Sequence, residues 1–309
     1  MNLKQAKYVK TIAQCGSLTA AAKKLYVSQP SLSQMLRQIE DDIGLPIFDR
    51  TVSPFRITYA GEKYLTAAET IINANTQLES QLREIKHDHS GRLRLGISIS
   101  RGLQVLPLVL PIFSKQYPHV TLELTETGSA SLEEMLRRGE IDLALAAIES
   151  TGPNMAYELI EKETIGILAG KDSRLAQTRI SGTPVHLSEV REDPFVILKE
   201  GHSARVIQDK LFRKQDFEPR VLLETDALEV GKRVTLESGA CMVLPNIYVD
   251  EYVRQKQGEF FPLADYENHR HFYACYRKDE FIPRYTRDFI QTTIRVLERE
   301  RLLEQEMKI

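Results

Sequence analysis

The chain has 309 residues and a formal net charge of -2, with 42% hydrophobic and 27% charged residues. This composition supplies enough apolar side chains for sizeable cores and excludes a disordered or fibrous chain. With about 150 residues per domain as a guide, the length predicts two domains and leaves room for a third compact unit. The near-neutral charge means that any nucleic-acid contact must come from a local basic patch.

The cysteines and the first residues bear on the cellular compartment. Cys15, Cys241 and Cys275 lie far apart in the sequence, so they predict neither a disulfide framework nor a C-x-x-C metal pair. The first ten residues carry three lysines and no apolar run typical of a secretory signal. No apolar run approaches the roughly 20 residues that span a bilayer. We expect a reduced, cytoplasmic protein that has no contact with a membrane.

Helical spacing of apolar residues dominates the first 86 residues. Three short helices are predicted by Leu3, Tyr8 and Ile12, by Leu18 to Leu25, and by Leu32, Leu36 and Ile39. From Thr58 to about Lys86 the chain has no proline, and most apolar positions are three or four residues apart. This stretch predicts one long helix with an apolar stripe that pairs with a second helix. The segment from His87 to Gly91 breaks the pattern and is interpreted as a hinge.

Strand-like and helical segments alternate after Gly91, which is typical of parallel sheets with crossover helices. The predicted strands are 92–97, 120–126, 141–147, 195–198, 221–224, 241–244 and 270–276, and the predicted helices are 103–117, 131–138, 204–215, 227–238 and 284–306. Two such runs, separated near Thr164 to Ala169, predict two α/β subdomains.

The segment from Gly16 to Gln34 has the pattern of a helix-turn-helix. Ser17 or Thr19 can cap a helix rich in alanine, Ser28 can cap the next one, and Pro30 suits its first turn. The N-terminal part of the second helix is the part that meets base edges in the major groove. Candidate DNA-contacting residues are Ser17, Thr19, Ser28, Gln29, Pro30, Ser31, Ser33, Gln34, Arg37, Arg50 and Arg56. A packing bundle with a solvated helix face is the alternative interpretation, and Leu18, Leu25, Leu32, Leu36 and Ile39 are assigned to the core.

The charge of this segment favours phosphate binding. Up to Thr58, eight lysine and arginine residues stand against four acidic residues, which gives +4 and leaves -6 for the remaining chain. A basic head on an acidic body is what a duplex-binding module needs.

Residues 8 to 61 resemble the LysR-type transcriptional regulators. The resemblance is carried by 16–22 (GSLTAAA), 27–33 (VSQPSLS), Ile39-Glu40, Ile43-Gly44, 48–50 (FDR) and 57–61 (ITYAG). Two positions depart from the family pattern, because Gln34 replaces a usual arginine and Ser53-Pro54 replaces a frequent arginine of the wing. We expect the first departure to change base preference and the second to remove a phosphate contact.

The remaining chain resembles the effector domain of the same family. Matching segments are 93–97 (LRLGI), Leu106-Pro107, Phe113 with 117–120 (YPHV), 139–144 (GEIDLA) and 239–245 (GACMVLP). The resemblance implies two subdomains like those of a periplasmic binding protein, with a small-molecule cleft between them. It also implies a homodimer or homotetramer that binds promoter DNA, and regulation through contacts with RNA polymerase.

Residues at strand ends are the candidates for that cleft, because ligands of open α/β sheets bind there, beside helix N-termini. The candidate effector residues are Ser98, Ser100, Arg101, Gly128, Ser129, Gly201, His202, Ser203 and Thr225. Hydroxyl groups beside helix N-termini favour an anion, and we expect a small carboxylate. For each serine a capping role is the alternative, and Ser131 with Glu134 is interpreted as a capping box.

The sequence lacks the signals of two other classes of protein. An exported solute-binding protein would carry an export signal and no basic head, and this sequence has the opposite pattern. An enzyme would carry a nucleophile, phosphate-loop or dinucleotide motif, and none of these motifs occurs in the sequence. The pairs His87 with His89 and His269 with His271 have no third ligand, so no metal and no cofactor is expected. Cys241 lies in an apolar strand where buried packing is the ordinary role.

The predicted architecture is an α+β multidomain chain. It comprises a winged helix-turn-helix domain (1–58), a linker helix with a hinge (59–90) and a two-subdomain α/β effector domain (91–309). Subdomain I is expected to span about 91–163 and 267–309, and subdomain II about 164–266.

Overall fold

The structure, a computed structural model, describes residues 1–52, 54–85, 90–148, 152–200, 202–249, 255, 257–264, 266–267 and 271–306. The helices are α1 (Leu3–Cys15), α2 (Leu18–Leu25), α3 (Gln29–Ile43), α4 (Tyr59–Ile85), α5 (Ile99–Gln116), α6 (Ser129–Arg137), α7 (Arg174–Thr178), α8 (Ser203–Lys214), α9 (Leu228–Ser238) and α10 (Arg284–Glu306). The strands are β1 (Phe48–Asp49), β2 (Arg56–Ile57), β3 (Gly91–Ile97), β4 (Val120–Glu126), β5 (Leu143–Ile148), β6 (Met155–Glu161), β7 (Ile165–Gly170), β8 (Pro194–Leu198), β9 (Arg220–Thr225), β10 (Cys241–Pro245), β11 (Gly258–Pro262) and β12 (His271–Arg277).

The N-terminal head packs α1, α2 and α3 around one core that includes Ile12, Leu32, Leu36 and Ile39. The strands β1 and β2 pair antiparallel and form the wing. The wing is held to α3 by Glu40, whose carboxylate accepts hydrogen bonds from the backbone N–H groups of Ile47 (2.8 Å) and Phe48 (3.3 Å).

The long helix α4 packs its first half on the head. Tyr64 and Ala68 are buried in the head core, and Leu65 and Ile72 lie against it. Gly61 makes this approach possible, because a Cβ there would lie 2.2 Å from the carbonyl oxygen of Ile47.

Subdomain I is built on a five-stranded sheet of order β4-β3-β5-β12-β6. The strands β4, β3 and β5 run parallel, while β12 runs antiparallel to both of its neighbours. Phe113, Phe289 and Phe272 join α5, α10 and the sheet in one core. Phe113 and Phe289 meet edge to face with ring centroids 5.0 Å apart, a favourable aromatic geometry.

Subdomain II repeats the same plan with the order β11-β7-β10-β8-β9. The strands β10, β8 and β9 are parallel, and β7 is antiparallel to β10 and β11. The helices α8 and α9 cover its two faces, because separate clusters contain Leu211 of α8 and Leu228 of α9.

The predicted fold class is confirmed, while several details of the sequence interpretation are wrong. Ile165–Gly170, interpreted as part of a break between two runs, is the fully buried strand β7. The sheets are mixed rather than wholly parallel, since antiparallel strands complete each one. The helix α5 begins at Ile99 instead of Leu103, because Ser98 caps it there. Ser131 is not an N-cap, since α6 begins at Ser129 behind Gly128.

Candidate DNA-binding and effector sites

The helix α3 presents a polar face at its N-terminal end. The Ser28 hydroxyl caps the helix by accepting a hydrogen bond from the Ser31 N–H (3.3 Å). Leu32, Leu36 and Ile39 point into the core. The candidate residues Gln29, Pro30, Ser31, Gln34 and Arg37 are exposed, and Ser33 is half-buried. These candidates share the end of one helix, as a major-groove reader requires.

The candidates outside α3 have different surroundings. Ser17 caps α2 by accepting from the Ala20 N–H (3.5 Å), and Thr19 is exposed beside it. Arg56 is exposed in β2 of the wing. The Arg50 guanidinium instead forms a hydrogen-bonded ion pair with Glu40, so it stabilises the junction between α3 and the wing.

Two lysines of α1, Lys4 and Lys10, also have intramolecular neighbours. Lys10 pairs with Glu69 of α4 at 3.5 Å, and the Lys4 ammonium lies 5.6 Å from the centre of the Tyr8 ring. The net charge of the head therefore overstates the positive charge that its α3 end offers to phosphates.

A cavity of about 330 Å³ lies between subdomains I and II. Its lining residues are Ser98, Ile99, Ser100, Thr127 and Gly128 from subdomain I, and Leu198, Glu200, His202, Ala204, Leu228 and Tyr248 from subdomain II. The volume suits a small molecule, and the lining combines apolar walls with a few polar groups, as ligand pockets commonly do.

Four helices begin at this cavity. Ser98 caps α5 by accepting from the Arg101 N–H (3.4 Å). The N-caps of α6, α8 and α9 are Gly128, His202 and Ala227, and none of these three makes a side-chain capping hydrogen bond. Because the first N–H groups of a helix have no partner within the helix, the cavity receives several inward-facing donors and positive dipole ends. This arrangement favours a negatively charged ligand.

Two family models match the chain. The model described as "LysR substrate binding domain" matches residues 86–298, and that described as "Bacterial regulatory helix-turn-helix protein, lysR family" matches residues 3–62. The chain belongs to the LysR family. It is a DNA-binding transcriptional regulator with a substrate-binding domain, and not an enzyme.

Relatives and solved structures agree with this assignment. The chain is 27% identical over 261 residues to the HTH-type transcriptional regulator YcgK of Bacillus subtilis (strain 168), covering 80% of this chain and 81% of that protein. A full-length OxyR variant from Pseudomonas aeruginosa has the same fold, with a TM-score of 0.72 and 23% identity over 95% of this chain and 98% of that one. Full-length CbnR in complex with its target DNA matches with a TM-score of 0.61 and 22% identity, over 96% of this chain and all of that one.

The structure brings together four of the sequence-predicted effector residues of this LysR-family regulator. Ser98, Ser100, Gly128 and His202 line the cavity. Ser129 and Ser203 are the first residues of α6 and α8, next to lining residues. Gly201 lies outside the described residues.

Arg101 and Thr225 do not line this cavity. The Thr225 hydroxyl accepts from the Ala227 N–H (3.1 Å) and supports the turn before α9. The Arg101 guanidinium is buried, and it donates to Glu161 (3.0 Å) and Glu163 (2.5 Å). Burial lowers the pKa of this guanidinium, but Glu163 and other neighbours outweigh burial and raise the pKa above its usual value. Arg101 therefore belongs to a structural ion-pair cluster.

Other lining residues were missed by the sequence interpretation. Thr127 follows β4 just as Ser98 follows β3, so the strand-end argument could have found it. Leu228, Glu200 and Tyr248 had no comparable signal, because their positions depend on how the two subdomains meet.

A larger cavity of about 540 Å³ lies between α4 and subdomain I. Its arginines have acidic partners: Arg94 pairs with Asp142 and Arg92 with Glu123. This charge pairing makes it a weaker candidate than the cavity between the subdomains.

The buried cysteines are poor nucleophiles. Burial raises the pKa of the Cys241 and Cys275 thiols to about 12, so both stay protonated near neutral pH.

Within the described residues, no group of three or more His, Cys, Asp or Glu side chains could hold a metal ion. His87, His89 and His269 lie outside the described residues. In the same part of the chain, every helix is too short or too polar to cross a bilayer.

Proposed function

We propose that this LysR-family regulator responds to a small carboxylate bound in the cavity between its subdomains. The observation that carries the proposal is the convergence of four helix N-termini on one cavity, three of them without a side-chain cap. The hydroxyl groups of Ser100 and Thr127 supply further donors. The apolar walls formed by Ile99, Leu198 and Leu228 fit the organic body of a carboxylate better than an inorganic anion.

The contacts between the two subdomains near the cavity give such a ligand a way to act. Asn246 exchanges two hydrogen bonds of 2.8 Å with the backbone of Thr164, and the Gln104 amide donates to the Ile247 carbonyl (2.6 Å). The first two bonds hold the crossover between β6 and β7 to subdomain II, and the third joins α5 of subdomain I to subdomain II. A ligand that contacts both subdomains favours one arrangement of them, and it shifts the population of assemblies that bind DNA.

The Ser100→Trp variant is expected to lose the response to ligand, because the indole occupies the cavity. In a thermal-shift screen of small carboxylates, a ligand at a hundred times its Kd adds about 2.7 kcal/mol, or roughly 5–10 °C, to the wild-type protein. Ser100→Trp is expected to show no shift and to bind DNA normally.

Ser114→Trp is the matched control, since Ser114 lies on the same helix but is exposed and outside the cavity. It should keep the full thermal shift. A shift that survives in Ser100→Trp would contradict this cavity as the site. A screen in which only uncharged compounds bind would contradict the proposal that the ligand is a carboxylate.

We further propose that the DNA contacts are made by the polar end of α3, by the start of α2 and by the wing. The proposed residues are Ser17, Thr19, Ser28, Gln29, Pro30, Ser31, Ser33, Gln34, Arg37 and Arg56. Arg50 contributes indirectly by holding the wing to Glu40.

The proposed domain division is 1–58, 59–90 and 91–309, with subdomain II at 164–266. A cytoplasmic location and contact with RNA polymerase belong to the same proposal.

A homotetramer requires two different interfaces, and exposed apolar residues in two parts of the chain support it. The second half of α4 exposes Leu78 (54%) and Leu82 (48%), four residues apart on one helix face. On the effector domain, Leu103 of α5 and Val221 and Leu222 of the edge strand β9 are exposed. We propose that α4 pairs two chains and that the effector domain joins dimers through its exposed apolar residues.

Replacing Leu78 and Leu82 by glutamate is expected to halve the number of chains in the assembly. Glutamate charges between two paired α4 helices repel each other and stay hydrated, so the helices no longer pair. Sedimentation velocity measures the change, and affinity for a two-half-site duplex should fall with it. Thr66→Glu, an exposed residue on a different face of α4, is the control and should leave the assembly unchanged. An unchanged assembly in the double variant would contradict the α4 interface.

A further inference from the structure

The turn between α2 and α3 carries an aromatic residue in an unfavourable conformation. Tyr26 ends α2 with φ 56° and ψ 39°, the left-handed region. Tyr26 is 95% exposed, the highest value among the large hydrophobic residues that the structure describes. A tyrosine in this region costs conformational energy that glycine or asparagine avoids.

The turn geometry explains the backbone but not the side chain. The Tyr26 N–H bonds back to the carbonyls of Ala22 and Lys23, and the Val27 N–H bonds to the Ala22 carbonyl (3.1 Å). Val27 then packs against the head core. These bonds require a left-handed residue at position 26, as at many helix C-termini, and glycine would meet the requirement at lower cost. The exposed ring gives the fold no packing in return.

The position of Tyr26 relates its ring to DNA. It lies two residues before Ser28, the N-cap of α3, and directly after the last turn of α2, where Lys23 and Lys24 are exposed. When the N-terminal end of α3 enters the major groove, the preceding turn lies at the edge of that groove, where the sugar-phosphate backbone runs. Tyrosine hydroxyl groups are among the donors that proteins use for phosphate oxygens.

We propose that Tyr26 is a DNA-contacting residue whose phenolic hydroxyl donates a hydrogen bond to a phosphate at the edge of the groove occupied by α3. The contact positions the head, and base recognition stays with α3. Because the phenol is neutral, the contact releases no counterion and leaves the salt dependence of binding unchanged. The proposal does not depend on the identity of the effector.

The test compares full-length Tyr26→Phe and Tyr26→Gly with the wild-type protein. The probe is a labelled duplex that the wild-type protein enriches from fragmented genomic DNA of its host, and fluorescence anisotropy measures Kd at several salt concentrations. Tyr26→Phe removes only the hydroxyl, and its affinity is expected to fall about ten- to a hundredfold, since the lost bond is to a charged group. Tyr26→Gly should lose at least as much affinity while its Tm stays equal or rises, because the strain is relieved.

Asp216→Gly is the matched control, since Asp216 is another exposed residue with positive φ (47°) in the effector domain. It should bind DNA like the wild-type protein. Wild-type affinity in Tyr26→Phe would overturn the phosphate hydrogen bond, even if Tyr26→Gly binds weakly. A loss confined to duplexes with one particular base would overturn it in favour of a base contact. Falls of both Tm and affinity in Tyr26→Gly would overturn it in favour of a structural role.

Discussion

The Arg101→Met variant is expected to lose about 3–5 kcal/mol of the unfolding free energy of the effector domain, because it leaves buried carboxylates without their cation. The Arg101 side chain is 4% exposed and the Glu163 side chain is 0% exposed. Glu161, the second partner, is also largely buried. Few single substitutions lower the unfolding free energy by this much, and those that do usually create a cavity in the core or leave a buried charge without its partner.

The surroundings of Arg101 explain why the loss is not confined to one contact. Its guanidinium lies 4.0 Å from the centre of the Phe272 ring, a cation–π contact in the core of subdomain I. Glu163 lies between β6 and β7, where the chain crosses to subdomain II. The cluster therefore ties the start of α5, beside the effector cavity, to the crossover. We expect the variant to respond to ligand less sharply as well as to unfold earlier.

Urea unfolding followed by circular dichroism measures the loss. In the double variant Arg101→Met with Glu163→Gln, a large part of the stability should return, because the most buried negative charge of the cluster is gone. Arg137→Met is the exposed control: Arg137 and its partner Glu134 are 66% and 43% exposed, and the expected loss is below about 1 kcal/mol. A loss in Arg101→Met as small as in Arg137→Met would contradict the structural role of the cluster.

The head was predictable because its signals are local. Ser28 caps α3, Ser17 caps α2, and Leu32 and Leu36 are core residues, all as the sequence predicts. Capping and helical periodicity act over a few residues, so they can be read directly from the chain. The wing is expected only from the family resemblance and not from residue spacing, since β1 and β2 have two residues each and depend on Glu40 for their position.

The effector domain was predictable in class but not in detail. The strand β7 (IGILAG) is buried along its whole length, and a short apolar run of this kind has no alternation to mark it as a strand. Its neighbours β10 and β11 come from more than 70 residues further along the chain. The role of Arg101 could not be predicted for the same reason, because its partners Glu161 and Glu163 are about 60 residues away in the sequence.

Charge counting in the head shows a third limit. Formal charge treats Lys10, Arg50 and Arg37 alike, but Lys10 pairs with Glu69 and Arg50 with Glu40, whereas Arg37 is exposed on α3. The number of phosphate contacts, and so the salt dependence of binding, should follow the exposed cations near α3 rather than the +4 of the sequence.

The Gln29→Ala, Ser33→Ala double variant is expected to bind its operator about a hundredfold more weakly while its affinity for unrelated duplex DNA changes little. Gln29 is exposed in the first turn of α3, and Ser33 lies one turn further along the same helix. A good bidentate pair between glutamine and adenine is worth about 1–3 kcal/mol of discrimination, and a serine contact adds to it. Unrelated DNA is held by phosphate attraction, which the two substitutions leave in place.

The same double variant should keep the wild-type Tm, because Leu32, Leu36 and Ile39, and not these polar residues, anchor α3 in the core. Gln38→Ala is the matched control, an exposed glutamine in the second half of α3, further from the end that enters the groove. It should retain full operator affinity. Competition binding against operator and unrelated duplexes gives the specificity ratio directly. If the double variant keeps that ratio, α3 does not read the bases through its N-terminal end, and the wing or the start of α2 must do so instead.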